Sequence, residues 1–87
     1  MTISVEEFED KVWELEGVRV TIRAPKDAQV NDYDYQRATT ETFNVSKFLR
    51  DKIVPRLNGH EAVVIQGDGE EPNGRTLLRN VRPTYKK

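Results

Sequence analysis

An α+β fold is predicted for this 87-residue chain, as one domain over residues 1–87 in the order αββαββ, with an antiparallel sheet packed by two helices. Three observations point there. Apolar residues recur at helical spacing in residues 5–15 and again in 45–53, they alternate in residues 18–23, and glycine or proline punctuates the joins. The length suits a single core, since domains seldom hold fewer than roughly 50 residues.

Ser4-Val5-Glu6-Glu7 is a capping box, so a helix should begin at Val5. Val5, Phe8, Val12 and Leu15 fall within about 80° of one another and form its apolar stripe. Gly17 supplies a left-handed stop, which gives a helix over 5–16. Glu6, Glu7, Glu9 and Asp10 favour its positive start, whereas Glu14 and Glu16 sit where the helix dipole opposes them. Helix stability does not explain those two acids.

Val18 to Arg23 alternates as a half-buried strand over 18–23, with Val18, Val20 and Ile22 inward and Arg19, Thr21 and Arg23 outward. Tyr33 to Thr40 has the aromatic and β-branched content of a second strand, 33–40. Asn44 caps a helix over 45–57 that carries Val45, Phe48, Leu49 and Ile53 inward and that Pro55 must kink or end. Glu61 to Gln66 reads as a strand buried on both faces or central in its sheet (61–66), Gly67 to Gly74 as a loop, and Thr76 to Arg82 as a last strand (76–82), although that stretch would also tolerate a helical turn.

Charge and composition exclude more than they assign. The chain has 14 basic and 15 acidic residues and no cysteine, which removes disulfides, thiolate nucleophiles and sulfur-ligated zinc. No apolar run is long enough for a membrane span, and the acidic start is unlike a signal peptide, so a cytoplasmic protein without membrane contact is expected. Catalysis has little to work with. Ser4 and Ser46 are read as helix starts, His60 as a loop residue, and Asp32 and Asp34 as solvated acids, so no catalytic residues, and no enzyme, are predicted. Asp68, Glu70, Glu71 and Asn73 lack the spacing of a calcium loop, and no metal or other cofactor is predicted.

The charge is segregated along the chain. Residues 1–16 hold six acids and one base, residues 61–74 four acids, and residues 75–87 five bases. Trp13 lies roughly 80° to 160° round the first helix from its apolar stripe, among acids, where an interface anchor would sit. Trp13, Glu6, Glu9, Asp10 and Glu14, joined by Asp32, Tyr33, Asp34 and Tyr35, are therefore predicted as an acidic-aromatic partner-binding face. The competing reading is a nucleic-acid surface made of Arg19, Arg23, Arg75, Arg79 and Arg82, with Lys86 and Lys87 extending it and tyrosines available to stack. A sequence pI near 5.8 weighs against it.

The stretch Phe8 to Arg19, the run Asp32-Tyr33-Asp34-Tyr35 and the stretch Gly67 to Thr76 resemble pieces of short proteins of bacteria and their prophages, among them the anti-CRISPR inhibitors. The resemblance is one of type, spans most of the chain and carries over no individual residue. It implies a small inhibitor that presents an acidic face to a nucleic-acid channel or blocks a subunit contact. The expected partner is a larger protein or protein–nucleic-acid complex, and an edge strand or the first helix could also pair with a second copy.

Overall fold

In the computed structural model, which describes residues 2–25 and 27–85, the chain is an α+β domain with two separate antiparallel ribbons. Strand β1 (Thr2–Ser4) leads directly into helix α1 (Val5–Glu16), followed by β2 (Arg19–Ile22), β3 (Gln29–Asn31), helix α2 (Val45–Phe48), β4 (Ala62–Ile65) and helix α3 (Leu78–Val81). β1 pairs with β3 in the register Ile3 to Val30, and β2 pairs with β4 in the register Val20 to Val64. Among the described residues no helix is long and apolar enough to cross a membrane.

Local signals place α1 where the capping box predicts it. The Glu7 N–H donates to Ser4 Oγ at 3.2 Å, and Gly17, at φ 68°, turns its N–H back to the Trp13 carbonyl. Val5, Phe8 and Val12 are buried, with Leu15 packed at the rim of the core. Val18, Val20 and Ile22 are buried as predicted, while Arg19, Thr21 and Arg23 face outward.

Four predicted elements differ. The stretch predicted as strand 33–40 is irregular, and the strand that follows β2 is the earlier β3; at Thr39 side chains take the backbone groups that a neighbouring strand would use, the N–H donating to the Glu16 carboxylate and the carbonyl accepting from Arg82. The stretch predicted as strand 76–82 is helical over Leu78–Val81, since Leu78 and Val81 bury one face at a spacing of three residues, and a 3-10 turn follows at Arg82–Thr84. The helix predicted over 45–57 begins as expected, with the Lys47 N–H on Asn44 Oδ1 at 2.7 Å, but widens to a π-turn over Leu49–Ile53 and tightens to a 3-10 turn over Val54–Arg56. Pro55 has no N–H and its ring would crowd the Asp51 carbonyl in a regular helix, so the Val54 N–H reaches back five residues to Leu49 instead. Strand β4 forms within the predicted 61–66, but it is neither buried on both faces nor central in its sheet: it lies in a two-stranded ribbon with β2, Val64 is covered, and Val63 and Ile65 are half-exposed on the outer side.

Glu16, the acid that opposes its helix dipole, joins three segments. Its carboxylate accepts from the Tyr33 hydroxyl, from the N–H and hydroxyl of Thr39, and from the Arg82 guanidinium, while Arg82 Nε also donates to the Glu16 backbone carbonyl. The end of α1, the loop after β3 and the C-terminal turn are thereby held at one buried point.

Candidate interaction face

The outward side of α1 carries Glu6, Asp10, Trp13 and Glu14, which at about 100° per residue lie within one quadrant or so of the helix. Glu6, Asp10 and Glu14 are exposed and make no ion pair among the described residues. Trp13 is half-buried and fixed on two sides. Its ring meets Tyr85 edge-on, with centroids 5.1 Å apart at 82°, and the Arg19 guanidinium lies 4.6 Å above it. It borders three adjoining open depressions, one against Asp10 and Thr21, one against Glu14 and Arg82, and one over Ile65 and Gly67.

Tyr85 explains why the indole is held there. Its hydroxyl accepts from the Arg19 N–H at 3.0 Å and donates to the Ile65 carbonyl, replacing the last rung between β2 and β4. Burial pushes its phenol above the usual value. Glu9 is half-buried and engaged: its carboxylate accepts the Ile22 N–H at 2.9 Å and closes that point of the β2 edge. It shapes the face more than it presents charge.

The second half of the predicted acidic-aromatic face lies elsewhere. Asp32 pairs with Lys11 at 2.7 Å, and Lys11 is about 160° round α1 from Trp13. The Lys11 ammonium holds the Asp32 carboxyl below the usual carboxylate range, and the Lys11 pKa is raised in turn. Asp34 pairs with Arg56 at 3.1 Å. Tyr33, predicted at the surface, is a core residue, packed edge-on against Phe8 and bonded to Glu16, because an aromatic ring of this size is better placed under the helix than in water. Tyr35 packs on Tyr33 and is covered by Lys52 and Arg56.

The predicted arginine surface is divided too. Arg82 is bound to Glu16 and Arg19 lies over Trp13, whereas Arg23, Arg75 and Arg79 are exposed on different elements. Lys86 and Lys87 lie outside the described residues. His60 stands beside Arg23, Glu61 and Val63 in an open depression. Among the described residues no three His, Asp or Glu side chains gather in a way that could hold a metal ion.

A basic-aromatic cluster formed by Arg37, Lys47, Lys52 and Arg56 around Tyr35 and Phe43 was not foreseen from the sequence. Its signal was present: residues 36–56 hold five bases and two acids. No family model, curated protein or solved structure matches this chain.

Proposed function

We propose that the protein is a non-catalytic binding module that docks the Trp13 side of α1 on a larger basic protein of the nucleic-acid-handling kind and blocks it, as an anti-CRISPR inhibitor would. The observation that carries this reading is an indole already held in place by Tyr85 and Arg19 beside three acids that make no ion pair among the described residues. A pre-positioned tryptophan loses little freedom on docking, and such residues often anchor interfaces. Glu6, Asp10 and Glu14 supply the charge that steers a basic partner and sets its register. Asp32, Asp34, Tyr33 and Tyr35 drop out of the face.

The test is capture from the source cell with three proteins: the unaltered chain, Trp13→Ala, and the charge-reversed Glu6→Lys/Asp10→Lys/Glu14→Lys, each first matched by circular dichroism. A basic nucleic-acid-handling protein retained by the first and lost by both variants supports the reading. Retention unchanged by the variants overturns it.

A further inference from the structure

The cluster around Tyr35 and Phe43 lies on other residues than the Trp13 face and does not depend on that reading. Lys47 Nζ stands 4.5 Å over the Phe43 ring and Lys52 Nζ 4.4 Å over Tyr35, with the Arg56 guanidinium 4.9 Å over the same tyrosine. Both rings are half-buried and packed on the core, so they are fixed platforms. Arg37 and Lys52 line one open depression together with Tyr35 and Phe43. Of the acids nearby, Asp34 holds Arg56 and Asp51 holds Arg50, while Glu41, two residues before Phe43, is exposed and outside these pairs. Arg37, Lys47 and Lys52 make no ion pair among the described residues.

We propose that this depression binds single-stranded nucleic acid, with phosphates on Arg37, Lys47 and Lys52 and bases on the rings of Tyr35 and Phe43. Cations set around fixed aromatic rings are the two components such sites combine. The lysines that cover the rings in the free protein move onto phosphates while bases take their places, an exchange that favours the bound state because a stacked base is worth more than an exposed cation over the same ring. A duplex keeps its base faces stacked internally and would leave both rings unused, which is why the strand is the better fit.

Fluorescence anisotropy of a labelled oligothymidine of about ten nucleotides tests this, since single-strand sites commonly span about 4 to 16. Binding is expected at about 50 mM salt, weakening as salt rises with a log–log slope of about −2, near 0.7 for each of three phosphates. Lys47→Gln/Lys52→Gln should flatten that slope by about 1.4, to about −0.7. Tyr35→Leu and Phe43→Leu should each weaken binding about tenfold, the size of one lost stacked base, with little change in slope. Arg23→Ala/Arg75→Ala and Trp13→Ala should bind as the unaltered chain does. Circular dichroism checks each fold, and Lys47→Gln alone, at an exposed position, serves if a double variant fails to fold. The assignment is overturned by absence of binding, by equal losses in the Arg23/Arg75 variant, by tighter binding of the matching duplex, or by affinity that ignores both aromatic substitutions.

Discussion

Arg82 grips Glu16 at two points, through Nε to the backbone carbonyl at 2.8 Å and through Nη2 to the carboxylate at 3.2 Å, and so ties the C-terminal turn to the end of α1. The Glu16 side chain is almost fully covered, whereas that of Arg82 keeps about a quarter of its surface in solvent. Loss of the two partners should therefore cost different amounts.

Glu16→Ala leaves the Tyr33 hydroxyl and the Thr39 donors without their acceptor and Arg82 with the Glu16 and Thr39 backbone carbonyls alone. It should lower stability by about 3 to 5 kcal/mol, because several covered donors lose their acceptor at once at about 1 to 3 kcal/mol each. Arg82→Ala should cost about 1.5 to 3 kcal/mol, as for charge-assisted hydrogen bonds near the surface. Urea unfolding of both single variants and the double measures this, and the double should fall well short of the sum.

Alkali should unfold the protein through Tyr33. Burial, and next its bond to Glu16, hold that phenol far above its usual value of about 10. The resulting stability is fully present below that pH and is lost as pH rises above it, because only the unfolded chain ionises readily. Tyrosinate absorbance should thus rise in step with loss of circular dichroism. In Tyr33→Phe the alkaline transition should move to higher pH, Tyr85 retaining a similar linkage of its own.

Gly67→Ala should loosen the Trp13 platform from a distance. A Cβ there would lie 1.6 Å from the Thr84 carbonyl oxygen, so the turn bearing Tyr85 has to shift. A stability loss of about 1 to 3 kcal/mol is expected from such overpacking, together with a red shift of Trp13 emission as its contact with Tyr85 opens. Thermal unfolding and emission spectra check the two effects.

Acid should act on Lys11–Asp32. The Asp32 carboxyl titrates below its unfolded value of about 3.9, so the pair favours the fold above that pH and ceases to do so as pH falls through the lower folded value. NMR titration of the Asp32 side chain should show the depressed midpoint, and Lys11→Met should return it toward the ordinary range.

Legibility followed the range of the interactions. Ser4 and Glu7 meet three residues apart, and β2 alternates within itself, so α1 and β2 could be read from the chain alone. Tyr33 to Thr40 could not, because the composition of a strand does not say whether a neighbour is there to pair with it. The neighbour turned out to be the Glu16 side chain, and the clue was an acid placed against its own helix dipole. Helix geometry puts Trp13 roughly 80° to 160° from the apolar stripe, among acids, but its contact with Tyr85 joins residues from opposite ends of the chain. Asp32 and Asp34 looked solvated because their cations, Lys11 and Arg56, are about 21 residues away or more in sequence, beyond the reach of local pattern reading.

Anchoring Thr39 to Glu16 also sets a clock. An amide in an irregular loop ordinarily exchanges its hydrogen with water through small local fluctuations, but the Thr39 N–H ends on a buried carboxylate. Its hydrogen should be released only when α1, the loop and the C-terminal turn separate together. In a deuterium experiment this one loop proton would therefore count whole-molecule openings, and the segment from Gln36 to Ala38 beside it would behave as a short handle mounted on a rigid post.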